Sequence, residues 1–351
     1  MLHCERFSRD GESSEIDPEH ISDFLTAPDG VIWLDAVDPT DEELELLADE
    51  FKFHPLAMED LKAQDLRART TEFGDHVFVV AHEIHPSPET DNSDEPCIRR
   101  TCEIHAFVNT HYCVTVHNGE SAALKEARQR WVSNVDVRQQ GAFGFLYLLL
   151  DSIVDEYYPT MDAFDERLDL LEHLVLQPAS KELSMLDKAA EIRQDQKPLQ
   201  QVLSLRRSLL EMRRYVAPLR DAVNVLLRRM ESMQHETDDR GGRARALYSY
   251  YQDVYDHLIR VVETIDTYRD LLAGTLDAHL AVASNRLNEI VKVLTSVSII
   301  LMTWGTITSL YGMNFQYMPE LHWKYGYAYA LGLMVVLSVL EWIYFRRRRW
   351  L

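Results

Sequence analysis

Three groups of residues in this 351-residue chain have the types and spacing to do chemistry. The first lies near the C-terminus, where Asn288, Val291, Thr295, Ser298, Met302, Gly305, Ser309 and Gly312 recur at alternating steps of three and four. On an α-helix they form one face of small, hydroxyl and flexible side chains, as close helix–helix contact or a narrow polar passage requires. Ile299, Ile300, Leu301, Trp304 and Ile307 fall between them and suit lipid or a second helix. The second group is acidic: Asp256, Glu263, Asp270 and Asp277, each seven apart, in a series continuing through Ser284, Val291, Ser298, Gly305 and Gly312. In a ring of parallel helices each carboxylate would become a ring of carboxylates. Helix phase drifts by about 20° per heptad, so only part of the series faces one axis; Asp277 to Gly312 is that part, and Asp256 and Glu263 read as a solvated face. The third group is a concentration of His76, His82, His85, His105, His111 and His117 with Cys97, Cys102 and Cys113. Cys113, Thr115 and His117 share one face of a strand, but the spacing of Cys97, Cys102 and His105 is not a standard zinc pattern.

The elements that carry these residues follow from periodicity. Val293 to Leu310 has no charge, and Tyr325 to Phe345 has only Glu341; each can cross a hydrocarbon core of about 30 Å. The short connector allows only an antiparallel hairpin, and Arg346 to Arg349 marks its cytoplasmic end. Upstream, Leu247, Tyr251, Val254, Leu258, Val261, Ile265, Tyr268, Leu272, Leu276, Leu280, Ala283, Leu287, Ile290 and Leu294 advance by a mean of about 3.6 residues. No proline interrupts the chain between Pro218 and Pro319. One helix from 243 to 312, roughly 105 Å long, is expected to start after a turn at Gly241-Gly242.

Composition bounds the rest. Net charge is −21. From Val291 onward Lys292, Lys324 and Arg346 to Arg349 face only Glu320 and Glu341, so the excess of acid lies in the first 290 residues. That argues against nucleic acid as a partner and suits a body that attracts cations. Four cysteines do not make a disulfide scaffold, and the N-terminus lacks a signal-peptide core. Val31–Leu34, His76–Ile84, Cys102–Val108 and Tyr112–His117 read as strands, and Asp41–Phe51 and Leu56–Leu66 as helices. Helical hairpins follow, with breaks near Gln177-Pro178 and Lys197-Pro198. The expected fold is α+β: an α/β sandwich domain over 1–140, helical hairpins over 141–242, the long stalk helix over 243–312, a loop over 313–324, a second span over 325–345 and a basic tail over 346–351.

Directly after the first span comes Tyr311-Gly312-Met313-Asn314-Phe315, followed by Met318-Pro319-Glu320-Leu321, an aromatic entry to the second span and a basic terminus. This tail, with Ile32-Trp33-Leu34-Asp35 and His54-Pro55-Leu56-Ala57-Met58-Glu59-Asp60, resembles the CorA family of magnesium and cobalt channels across essentially the full chain. The resemblance implies a homopentamer in the lipid bilayer of a bacterial or archaeal cytoplasmic (inner) membrane, multi-pass, with both termini cytosolic. It implies passage of Mg2+, with Co2+ and Ni2+, gated by cytosolic divalent ions. Gly312, Met313 and Asn314 become the selectivity filter, with Asn314 as an amide ring that bonds the waters of a hydrated ion. Met302, Leu294 and Val291 become constrictions; Asn288 and Asp277 line the inner mouth, and Thr295, Ser298 and Gly305 the wall between. Regulatory Mg2+ would bridge protomers through Asp253 and Glu89 or Asp91, although the loop carrying the last two also reads as merely solvated. Thr303 stands where the family usually has proline, Gln316 where glutamate is frequent, and Glu341 is unusual in the second span, where it would pair with the terminal arginines. A Zn2+ transporter on the same scaffold is the alternative, because the zinc-handling ZntB relatives share the architecture while usually altering the Gly-Met-Asn triad. A membrane-anchored enzyme or sensor is a third reading. No glycine-rich phosphate loop, nucleophile motif or paired-histidine zinc helix supports it, so the chain is not expected to be an enzyme.

Overall fold

The computed structural model describes residues 2–8, 13–16, 30–63, 66–86, 98–176, 196–234, 239–314, 318 and 323–350. They divide into two compact units, Met1–Thr275 and Leu276–Leu351.

The first unit is built on one seven-stranded sheet. Its strands are β1 (Leu2–Phe7), β2 (Ser13–Glu15), β3 (Val31–Val37), β4 (Arg69–Phe73), β5 (His76–Pro86), β6 (Ile98–Val108) and β7 (Tyr112–His117), in the order β2-β1-β3-β7-β6-β5-β4. Only β3 and β7 run parallel, with Trp33 opposite Cys113 and Asp35 opposite Thr115. The interior strands are apolar on both faces because both are covered. On one face Ile32, Leu34, Ala36, Phe78, Val80, Phe107 and Val114 pack under helices α1 (Asp41–Phe51) and α2 (Pro55–Lys62). Thr40 caps α1 in a reciprocal box with Glu43, the arrangement that satisfies two orphan amides at once. On the other face Trp33 meets Phe145, and Phe145 meets Trp131 edge-on. These rings bring in helices α3 (Ala122–Ser133), the short α4 (Val135–Arg138), α5 (Ala142–Asp155) and α6 (Tyr157–Leu176).

Two long helices follow, α7 (Gln196–Met233) and α8 (Asp239–Tyr311). Pro198 lies in the first described turn of α7, where its missing N–H is harmless; the expected break near Gln177-Pro178 lies outside the described residues. The expected turn at Gly241-Gly242 is not found: α8 already begins at Asp239. Each glycine costs a helix roughly 1 kcal/mol, but Ala244, Leu247 and Tyr251 dock on the body immediately afterwards and are buried. Helix α2 ends at Lys62 rather than 66, because Ala63 turns extended. Strands β1, β2 and β4 and helices α3 and α4 add to the sequence expectation. Along α8 the periodic apolar residues are buried through Leu272, except half-buried Tyr268, and Leu280, Leu287, Ile290 and Leu294 are exposed.

The second unit contains the end of α8 and helix α9 (Gly326–Arg347). Both helices are long and apolar enough to cross a membrane.

Tyr251 and Leu258 are fully buried on α8, and the Tyr251 hydroxyl donates to the Phe143 carbonyl at 2.8 Å. Leu258→Ala is expected to cost the body about 2–5 kcal/mol through transfer and cavity terms, measured by denaturant unfolding of the full chain in detergent. Leu280→Ala, at an exposed position, leaves that transition unchanged.

Candidate functional site

Within the second unit, α8 has two different faces. Ser296, Ile300, Thr303 and Ile307 are buried or half-buried, at steps of four, three and four. The complementary half-buried series on α9 is Ala330, Met334, Leu337, Glu341 and buried Phe345. Two polar contacts join these helices: Thr303 Oγ1 lies 2.6 Å from Glu341 Oε1, and Trp304 Nε1 donates to Ser338 Oγ at 2.6 Å. Glu341 therefore does not reach the terminal arginines. Arg346 and Arg348 instead lie over the rings of Trp342 and Tyr344, at 4.9 and 5.7 Å.

The other face of α8 is open. Asn288, Val291, Leu294, Ser298, Met302, Gly305 and Ser309 are all exposed, Met302 at 73% and Leu294 at 64%, while Thr295 is half-buried. Met302, Gly305, Thr306, Ser309, Leu310 and Met313 line a shallow groove. Asp277 is exposed as well. The helix closes with the Gly312 N–H on the Thr308 carbonyl at 3.0 Å and the Met313 N–H on Leu310 at 3.3 Å. A Cβ at Gly312 would sit 3.2 Å from the Thr308 oxygen, so the residue that ends the helix has little room for a side chain. Asn314 follows with its side chain exposed. Gln316 and Glu320 lie outside the described residues. At Thr303, where a proline would interrupt the hydrogen-bond ladder, α8 continues without a break.

In the first unit, Asp253 on α8 lies beside Asp151 of α5 and His257 one turn further along α8. One ligand atom from each falls within 4.8 Å of the others. Among the described residues this is the only such group of three. Asp253 Oδ1 is 3.8 Å from His257 Nε2. Asp151 is buried and ion-paired with Arg130, which also reaches Asp155 at 3.6 Å. Burial first, and the charge of Asp151 second, push the Asp155 carboxyl above its ordinary range. Acids crowded this way repel one another and offer oxygen donors to a hard cation. Asp151 and His257 extend the sequence reading. Their signals were a lone acid inside the apolar run Phe145–Val154 and a histidine four residues after Asp253 on one helix face. Glu89 and Asp91 lie outside the described residues, whereas Asp256 and Glu263 are exposed.

The histidines and cysteines of the sheet are not gathered around one point. Trp33 Nε1 donates to Thr115 Oγ1 at 3.1 Å, Thr115 donates to Asp35 at 2.6 Å, and His117 Nε2 lies 3.2 Å from Asp35 Oδ1. Burial opposes charge on His117, but hydrogen bonds to Asp35 and Cys102 outweigh it and push the imidazole up to about 10. His105 pairs with Glu103 at 3.0 Å, and His85 with Glu83 at 3.3 Å. Burial raises the Cys113 thiol well above its ordinary value. A charged imidazole and a buried thiol are poor metal ligands. Cys97 lies outside the described residues.

A sheet-based acidic body, a long helix with one open face and a second apolar helix, with both helices long and apolar enough to cross a membrane, fit a membrane protein. The model of the CorA-like Mg2+ transporter protein family matches residues 28–347, and the chain belongs to that family. It is 33% identical over 318 residues to YfjQ of Bacillus subtilis (strain 168), covering 91% of this chain and 89% of that one. It is 32% identical over 305 residues to the cobalt/magnesium transport protein CorA of Thermotoga maritima, covering 86% and 78%. The fold matches the complete structure of the CorA magnesium transporter from Methanocaldococcus jannaschii, with a TM-score of 0.72, 20% identity and coverage of 100% and 99%.

The His117–Asp35 pair gives the body a defined pH response. A raised folded-state value means that its stabilisation is complete below the ordinary 6.5 and is lost as pH rises through about 10. Thermal unfolding of the full chain in detergent should therefore shift downward over that window, and His117→Gln should flatten the slope.

Proposed function

We propose that this chain is the subunit of a homo-oligomeric, pentameric channel that conducts hydrated Mg2+, and also Co2+ and Ni2+, across the cytoplasmic membrane, with both termini cytosolic. The observation that carries this reading is the open face of α8, which runs from Asn288 to Gly312 and ends on an exposed Asn314. A span face that mixes Asn, Ser and Gly with its apolar residues suits copies of the same helix around an axis better than hydrocarbon. The Thermotoga maritima relative is a cobalt/magnesium transport protein, which supports the choice of ions.

Each part of the face then has a physical task. Mg2+ sheds water reluctantly, so Asn314 amides, set beside Gly312 and Met313 where the helix stops, hold the ion through its waters without the grip of a carboxylate. Met302, Leu294 and Val291 form apolar rings that close by dewetting. Ser298 and Gly305 keep the wall between them narrow and polar, and Thr295 contributes from its half-buried position. Asn288 and Asp277 gather cations at the inner mouth.

The body regulates flux by sensing the same ions. Asp253 is the anchor of that site, with Asp151 and His257 alongside, and Glu89 or Asp91 of a neighbouring copy completes the oxygen set. Bound Mg2+ would offset the mutual repulsion around Asp151 and Asp155 and hold the closed state.

Mg2+ entry into proteoliposomes tests the channel directly. Asn314→Ala is expected to lower the rate by about tenfold or more, equivalent to about 1.4 kcal/mol. Zn2+ entry without Mg2+ entry would move the chain to transition metals, and neither ion entering through a verified oligomer would leave the hairpin as an anchor. For the sensor, Mg2+ at about 100 times its dissociation constant should stabilise the wild type by about 2.7 kcal/mol. An alanine triple variant of Glu89, Asp91 and Asp253 should lose both this gain and Mg2+-dependent protection from protease. Unchanged protection would remove these residues from the site.

A further inference from the structure

The first unit encloses a cavity of about 250 Å³ where β1, β3 and the corner between α4 and α5 meet the end of α7 and the start of α8. Phe7, Trp131, Phe143 and Met230 give it apolar walls. Its charged lining residues are Arg138 and Arg243, and no Asp or Glu occurs among the described residues that line it. In a chain of net charge −21 this is a local reversal of sign.

A helix end adds to that field. Gly141, in the left-handed region at φ 74°, turns the chain from α4 into α5, and Gly141, Ala142 and Phe143 all line the cavity. No side chain caps this N-terminus. The helix opens with the Gly144 N–H on the Gly141 carbonyl at 2.8 Å, so the amides of Ala142 and Phe143 precede its first internal bond. Such amides, with the helix dipole behind them, favour an anion.

Two enclosed donors in the wall also lack an acceptor. Trp131 is 1% exposed and Arg138 is 8% exposed. Neither the indole Nε1 nor the guanidinium Nε has a hydrogen-bond partner among the described residues. Arg138 commits its Nη1 to the Val132 carbonyl at 2.5 Å, which fixes the guanidinium in place. A buried donor without an acceptor is costly, and the cavity borders both residues.

We propose that this cavity binds a small organic anion, a carboxylate on a short apolar body. The carboxylate sits at the start of α5 with Arg138 beside it and Arg243 as a second positive charge, and the body lies against Phe7, Trp131 and Met230. The volume equals roughly eight waters at about 30 Å³ each, so an ion of about ten heavy atoms fits and a nucleotide does not. Its occupant touches β3, α5 and the first turns of α8 at once, and so braces the beginning of the long helix. The site lies wholly in the first unit, so its occupancy is independent of the channel reading.

Ligand-detected NMR titration of the full chain in detergent, with empty micelles subtracted, tests the site. Phenylacetate and hexanoate are expected to bind with dissociation constants of about 1 mM or below. Phenylacetamide, which keeps the shape and loses the charge, and acetate, which keeps only the head, should each bind at least about tenfold more weakly. Arg138→Gln should weaken phenylacetate about tenfold and Arg243→Gln about threefold. Met233→Trp, which fills the cavity from its α7 wall, should abolish binding without lowering the thermal midpoint of the unliganded protein. Failure of both carboxylates to bind the wild type would overturn the proposal. So would phenylacetamide or acetate binding as tightly as phenylacetate, or full affinity in Met233→Trp. If Arg138→Gln does not fold, Arg243→Gln at its half-buried position decides the part played by charge.

Discussion

Hydrocarbon offers no hydrogen-bond partner to a peptide group, so any segment that enters it must satisfy its own backbone. An α-helix does this in water and in lipid alike, which is why one element, α8, belongs to both units of this chain. The surroundings change along its length, and the side chains change to match. Tyr251, Val254, Leu258, Val261, Ile265 and Leu272 are covered by the body. Beyond them the same periodicity presents Leu280, Leu287, Ile290 and Leu294 without cover in a single chain.

The polar groups divide by the same logic. In the body, buried charges have partners: Glu5 is enclosed under Arg128, Asp151 under Arg130, and Arg138 donates to the Val132 carbonyl. Burial pushes the Glu5 carboxyl up, but its hydrogen bonds to Arg128 and His3 prevail and hold it below the usual range. Glu83, fully enclosed, accepts from Ser121 and from the first amides of α3, using a helix N-terminus as its counter-charge. In the second unit the economy is stricter, and hydroxyls fold back on their own helix: Ser296 on Lys292, Thr306 on Met302 and Thr308 on Trp304. A hydroxyl satisfied in this way makes little net demand on surrounding hydrocarbon.

Much of this was legible in the sequence, for reasons that differ by region. The long helix announced itself through an apolar period held without proline, and the two spans through length and absence of charge. The strands His76–Pro86 and Tyr112–His117 showed as apolar runs because both faces of the sheet are covered. What escaped was what tertiary contact decides. Strand β1 (LHCERF) carries Glu5 and Arg6, and it reads as polar until Arg128 arrives to pair with Glu5. Strand β4 (RTTEF) is an edge with little buried surface and no strong pattern. Gly241-Gly242 reads as a turn on local grounds and is overruled by the docking of the residues after it. At the candidate sites, the Gly312-Met313-Asn314 run and Asp253 stood out, whereas Asp151 looked like an anomaly in an apolar helix and Glu341 like one in a span. Each is explained by a partner distant in sequence.

The unbroken course of α8 turns chain length into an angular coordinate. Every residue added or removed between Tyr251 and Asn288 advances the helix by about 1.5 Å and rotates everything beyond it by about 100°. One extra residue would thus swing the open face away from its direction, and two would nearly reverse it. Only steps of about seven or eleven residues return it close to its original phase. Loops of the body can drift in length over evolutionary time, but this stretch is metrically frozen. Its exposed side chains can vary more readily than the number of residues that carries them.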